Sequence, residues 1–167
     1  MKALFTLVIL LISVQIFGQI SFKGNFDLNS QTYSSYNNNT QIAVGIGIEK
    51  PIGYKVSAAF DIDLWLGGQT LLYIDGVFKY HFMEYANKLY TGFYAGYGIL
   101  QEDAWYLNFG AEVGYDVPIS ENLVIQPHGR LGFNSINYGN PAYTTIIIAS
   151  DAGLHYGIGI SAIWLFE

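Results

Sequence analysis

The chain has 167 residues, of which 51% are hydrophobic, 17% aromatic and only 12% charged, with a net charge of −6 and no cysteine. The acidic balance argues against a nucleic-acid partner, whose affinity rests on Lys and Arg neutralising phosphate, and the absence of cysteine excludes disulfides, thiolate metal sites and lipid attachment at an N-terminal Cys. Soluble domains carry about a quarter charged residues, so a water-exposed surface on this chain would be short of polar cover.

Met1-Lys2 is a short positive region, Ala3 to Val14 an apolar run, and Gln15-Ile16-Phe17-Gly18-Gln19 a small and polar break. This predicts a secretory signal peptide over residues 1–19, cleaved after Gly18 or Gln19, because a spanning helix needs ~20 apolar residues. Residues 20–167 then form one domain, with six basic residues against 13 acidic once Lys2 is removed. No later stretch holds apolar residues at helical spacing for long, so almost no helix is expected.

The remaining segments alternate with a period of two, and we read them as strands. Ile20 to Asn29 sets Ile20, Phe22, Phe26 and Leu28 against Ser21, Lys23, Asn25, Asp27 and Asn29. Ser30 to Thr40, with Tyr33, Tyr36 and an Asn run, lacks a period and predicts a long mobile loop. Gln41 to Lys50 sets four aliphatic residues against Gln41, Ala43, Gly45, Gly47 and Glu49, and Pro51-Ile52-Gly53 is expected to turn the chain. Tyr54 to Leu66 turns Lys55, Ser57, Ala59, Asp61, Asp63 and Trp65 to one side, with Gly67-Gly68-Gln69 as its hairpin. Thr70 to Phe82 gives Tyr73, Asp75, Lys79 and His81 to that side, and Met83 to Lys88 closes it.

Leu89 to Leu100 places Tyr90, Gly92, Tyr94, Gly96 and Gly98 inward, followed by the polar loop Gln101 to Ala104. Trp105 to Val117 turns in Asn108, Gly110, Glu112, Gly114 and Asp116, and Pro118 to Asn122 turns the chain. Leu123 to Ile136 turns in Gln126, His128, Arg130, Gly132 and Asn134, with a bulge expected at Pro127, which lacks a ladder donor. Asn137 to Leu154 reads as a long connection holding Tyr138 and Tyr143, in which Thr144 to Ala149 extends the last two strands. The final strand, His155 to Glu167, puts Tyr156, Ile158, Ile160, Ala162, Trp164 and Phe166 on its apolar face.

Eight such strands, each long enough to cross a membrane when tilted (about 9–11 residues), predict an all-β, eight-stranded antiparallel up-and-down transmembrane β-barrel. Closure removes the edges that apolar strands could not leave open in lipid. Ten glycines fall on the inward parity and make room in a narrow interior for Tyr90, Tyr94, Trp65 and Arg130. An interior polar network is expected from Glu49, Lys55, Asp61, Asp75, Lys79, Glu112, His128 and Arg130, with Glu49 opposite Lys55, Asp61 near Asp75, and Glu112 near His128 and Arg130. Tyr54, Tyr80, Phe82, Tyr115, Trp164 and Phe166 read as an aromatic girdle.

The signal segment, the eight alternating strands and the aromatic-rich last strand with Phe166 beside the C-terminus resemble the small outer-membrane β-barrel family of the opacity-protein, OmpA-barrel and OmpX types. Asn108 to Val117 and His155 to Ile160 are similar to its Gly-x-Gly-aromatic strands. The resemblance implies the outer membrane of a Gram-negative bacterium, contact with outer-membrane lipid and lipopolysaccharide, and recognition of the last strand by the barrel-assembly machinery. One departure is that Glu167 follows the aromatic on which such chains usually end.

The expected function is structural or surface-recognising, carried by the loops with Tyr33, Tyr36, Tyr138 and Tyr143, in a monomer with no cofactor, no metal and no catalytic residues. A narrow solute pore is the first alternative. A lipid A-modifying enzyme is the second, with Ser161, His128 and Glu112 as the set to test, although the His-x-Ser pattern of lipid A deacylases is absent.

Overall fold

The structure is a computed structural model that describes residues 20–33, 39–67, 71–84, 86, 88–99, 104–138 and 151–166. The signal segment 1–19 lies outside the described residues. Eight strands, β1 (Ser21–Tyr33), β2 (Asn39–Gly53), β3 (Val56–Leu66), β4 (Leu71–His81), β5 (Lys88–Ile99), β6 (Ala104–Ser120), β7 (Leu123–Tyr138) and β8 (Asp151–Trp164), pair antiparallel in chain order. β8 closes on β1 from Phe22↔Trp164 to Tyr33↔Gly153, so the sheet is a barrel without edges. No helix occurs among the described residues.

Facing follows the sequence period. Along β1, Ser21, Lys23, Asn25, Asp27 and Asn29 are buried, whereas Phe22, Phe26 and Leu28 are exposed. The same alternation holds on the other strands, and outward Ile46 and Ile158 are 72% and 68% exposed. An apolar outside around a polar inside is the inverse of a water-soluble barrel, and it is what lipid outside and packed polar groups inside would select.

Besides strand ends that move, such as β6 running through Pro118 to Ser120 so that only Glu121 and Asn122 turn, four expectations shift. The β1–β2 loop is much shorter than Ser30 to Thr40, because Ser30↔Thr40 and Gln31↔Asn39 continue the ladder and leave only residues 34–38 between the strands. Backbone pairing needs no apolar side chains, so polar residues can extend a strand past the point where alternation fades. The last connection likewise shrinks from Asn137–Leu154 to residues 139–150, and its run Thr144 to Ala149 lies outside the described residues.

The third shift is at Pro51-Ile52-Gly53, which is not the turn. β2 runs through it with a register irregularity between Pro51 and Gly53, and Tyr54 and Lys55 form the tip instead. Fourth, Pro127 marks no bulge. The β6–β7 register is the same at Gly114↔His128 and Val117↔Ile125 on either side of it, and the irregularity sits at Pro118 and Ser120.

Candidate functional site

The interior holds the buried charged and polar side chains, and its pairing follows a rule that glycine makes possible. Lys23, Gly47 and Asp61 lie in one cross-strand row on β1, β2 and β3. Lys23 Nζ donates to Asp61 Oδ2 at 2.7 Å across the glycine, and a Cβ on Gly47 would collide with the Asp61 carboxylate. The same arrangement repeats for Asn25, Gly45 and Asp63, with an amide contact of 3.4 Å. It recurs for His128, Gly159 and Asp27, with 2.8 Å between His128 Nε2 and Asp27 Oδ1. Tyr94 reaches over two glycines, Gly110 and Gly132, to His155 Nδ1 at 2.9 Å. Partners therefore skip a strand, because a residue without a side chain leaves the space through which its two neighbours meet.

These rows feed a connected network in the half of the lumen nearer the short turns. Arg130 donates through Nε to Glu112 Oε2 at 2.6 Å and through Nη1 to Asp75 Oδ2 at 2.8 Å. Lys79 Nζ donates to Glu49 Oε2 and Gln126 Oε1, both at 2.7 Å, and stands 3.9 Å from Glu112. Gln126 Nε2 donates to Asp116 Oδ1 at 2.6 Å, and His81 Nδ1 lies 3.1 Å from Asp116 Oδ2. Ser57 Oγ donates to Glu49 Oε1 at 2.7 Å, and Tyr90 donates to Glu112 Oε1 at 2.9 Å. Lys79 and Glu49 are fully buried. Ions taken out of water in this way persist only when paired and hydrogen-bonded on several sides.

Towards the longer connections the filling changes to aromatic rings. Trp65 packs on Tyr73 at 4.9 Å and on Tyr106 and His155 at 5.7 Å between centroids. All four are buried. Trp65 Nε1 and the Tyr73 hydroxyl have no hydrogen-bond partner among the described residues.

Seven of the eight expected network residues line the lumen. Asp61 and Asp75 face each other directly, as do Glu112 and Arg130. Lys55 is the exception: because the turn lies two residues later than Pro51-Ile52-Gly53, Glu49 pairs with Ala59, and Lys55 sits at the hairpin tip with Nζ donating to the Phe82 carbonyl at 3.3 Å. Glu112 is two residues from His128 in the β6–β7 register, as expected, and His128 makes its own ion pair with Asp27 on β1. The expected set of eight left out Lys23, Asp27, Ser57, His81, Asp116 and Gln126, which the structure adds to the network and whose inward parity the sequence already showed. For Lys23 and Asp27, the signal that would have found them is the inward glycine on the strand between each residue and its partner.

The set Ser161, His128 and Glu112 is not assembled. Ser161 Oγ has no hydrogen-bond partner among the described residues, His128 engages Asp27 and the Gln126 carbonyl, and Glu112 is held by Arg130 and Tyr90. Among the described residues no group of three or more His, Asp or Glu is placed to hold a metal ion.

All six girdle residues, Tyr54, Tyr80, Phe82, Tyr115, Trp164 and Phe166, are exposed, and all lie at the turn end of the barrel. Tyr80 meets Phe82 edge-on at 5.7 Å, and Phe22 meets Phe166 at 5.4 Å. At the opposite end Tyr97 and Trp105 stack outward at 6.1 Å, a pair the reading of the girdle left out. At the β2–β3 tip, Tyr54 donates to Glu84 at 2.5 Å, a bond that pushes the phenol above its ordinary pKa. Of the loop tyrosines, Tyr33 and Tyr138 are the last residues of β1 and β7 and so belong to strands. Tyr36 and Tyr143 lie outside the described residues.

No protein-family model matches the sequence, and no curated protein sequence does. Thirteen solved chains match in structure. Neisserial surface protein A (NspA) aligns with a TM-score of 0.60 at 12% identity, over 86% of this chain and 97% of that one. The outer membrane protein OprG from Pseudomonas aeruginosa aligns with a TM-score of 0.51 at 10% identity, over 90% and 97%. The N-terminal β-barrel domain of Pseudomonas aeruginosa OprF gives 0.50 at 14% identity, over 89% and 97%. At such identities the likeness concerns fold, and with the closed eight-strand topology and the apolar outside it establishes that this chain has the fold of the small eight-stranded outer-membrane β-barrels.

Proposed function

We propose that the chain is a monomeric, non-enzymatic integral barrel of a Gram-negative outer membrane, exported by a cleaved signal peptide, with a structural or surface-recognition role. The observation that carries this reading is the filled lumen. Buried ion pairs occupy one half and stacked rings the other, a filling that favours a plugged interior over a water path or a substrate site beside Ser161. Outer-membrane lipid and lipopolysaccharide are the expected surroundings, and the assembly machinery would read β8 through Trp164 and Phe166. Recognition of a ligand would fall to the segments between strands at the end away from the girdle, since loops on a rigid scaffold carry function.

The test has two stages. Protein from purified outer membranes should migrate differently in unboiled and boiled samples on a gel, as a closed barrel does. In planar bilayers it should give no stepwise conductance; discrete steps that respond to Arg130→Ala would replace this reading with the narrow pore. Replacing residues 34–38 and 139–150 with short turns should leave the gel shift intact and abolish any surface-binding phenotype.

A further inference from the structure

The basic residues are distributed very unevenly. Of seven Lys and Arg, Lys2 precedes the described residues, Lys23, Lys79 and Arg130 are sealed in the lumen, and Lys50, Lys55 and Lys88 remain. All three stand at the turn end. Lys50 is the outward residue after Glu49 near the end of β2, Lys55 is at the β2–β3 tip, and Lys88 begins β5. Segments 28–49, 56–78, 89–129 and 131–166 contain no Lys or Arg, so the end with the longer connections has no basic side chain to offer a phosphate.

At the turn end the lysines lie between β2 and β5, the side that carries half of the girdle; Lys88, opposite Asp116, precedes Leu89, whose carbonyl accepts the Phe82 N–H at 3.0 Å. The β2–β3 tip is fastened to the β4–β5 connection by His81 N–H donating to the Lys55 carbonyl at 2.7 Å and by Lys55 Nζ donating to the Phe82 carbonyl. This places Lys55 beside Tyr54 and Phe82. The neighbouring acid, Glu84, accepts the Tyr54 hydroxyl. Lysine ammonium groups above exposed rings are suited to headgroup depth, where the ring sits at the boundary and the ammonium meets phosphate.

We propose that Lys50, Lys55 and Lys88, with Tyr54, Tyr80 and Phe82, form an interfacial site for the phosphate of an anionic glycerophospholipid in the leaflet facing the short turns. The opposite leaflet is met without ion pairs from Lys or Arg. The site rests on the membrane reading above, and it gives the two leaflets different lipid preferences: the turn end selects negative headgroups and the loop end does not.

The experiment uses the mature chain refolded in phosphatidylcholine vesicles containing a minor fraction of phosphatidylglycerol, with spin-labelled lipids of both headgroups. Phosphatidylglycerol should associate with the barrel more strongly than phosphatidylcholine, by about five-fold for each lysine it engages. The preference should fall to parity in Lys50→Gln/Lys55→Gln/Lys88→Gln and in high salt, and persist in Glu121→Gln. Equal association of both lipids with the wild type, or a preference untouched by the triple substitution, overturns the site. If the triple variant does not fold, the salt titration of the wild type decides, because a preference that survives high salt is not carried by lysines. Failure of the wild type to reach the heat-modifiable form in any vesicle would instead sink the membrane reading itself.

Discussion

The two halves of the lumen are filled with different chemistry and should tolerate change differently. Near the turns, Arg130 binds Glu112 and Asp75, Lys79 binds Glu49 and stands near Glu112, and Lys23 binds Asp61, so each cation holds at least one buried acid. Near the longer connections, Trp65, Tyr73 and Tyr106 meet mainly through ring faces and edges, and the Tyr73 hydroxyl has no partner among the described residues. The charged half is held by pairing and the aromatic half by volume. A substitution that conserves size but removes charge should therefore be severe in the first and mild in the second.

The largest effect is expected from Arg130→Met, which keeps bulk but leaves Glu112 and Asp75 without their guanidinium. Breaking a buried pair costs about 3–5 kcal/mol, to be read from urea unfolding in lipid vesicles by tryptophan fluorescence. A loss near zero would mean that water already solvates this half. Tyr90→Phe comes next: it removes the donor to Glu112, and a hydrogen bond to a charged group is worth about 1.5–3 kcal/mol.

Gly132→Ala tests the rows that hold both halves, since its Cβ would meet the Phe109 carbonyl and the Tyr94 hydroxyl. Overpacking of this kind costs about 1–3 kcal/mol. Gly129→Ala is the matched control: the nearest atom its methyl would meet is the Gly157 carbonyl oxygen at 3.8 Å, an ordinary contact, and it should leave the unfolding midpoint unchanged. If both alanines behave alike, the glycines are not spacing the lumen. The smallest effect belongs to Tyr73→Phe, which deletes a hydroxyl that bonds to none of the described residues and should shift stability by no more than about 0.5 kcal/mol. A loss matching that of Tyr90→Phe would show that the aromatic half also depends on polar contacts.

Much of this architecture was legible in residue order. A strand sends alternate side chains to opposite faces, so the lipid-facing row Phe22, Phe26 and Leu28 and the inward row Lys23, Asn25 and Asp27 could be sorted without coordinates. The eight segments followed from the same period. The strand ends were less legible, because Ser30 and Gln31 pair through backbone groups that any residue carries, and the β2–β3 turn slipped because Pro51-Ile52-Gly53 has turn composition but continues the strand.

The sequence by itself determined the closed barrel, its inside and its outside, because parity is a local property of each strand and lipid and lumen demand opposite chemistries at alternate positions. Only the tertiary structure decided who pairs with whom. Lys23 meets Asp61, Asp27 meets His128 and Tyr94 meets His155 across strands that contribute only glycine between them. Such contacts depend on the register of three or four strands at once, and on the curvature that brings distant strands together over an empty position. No single strand carries that information.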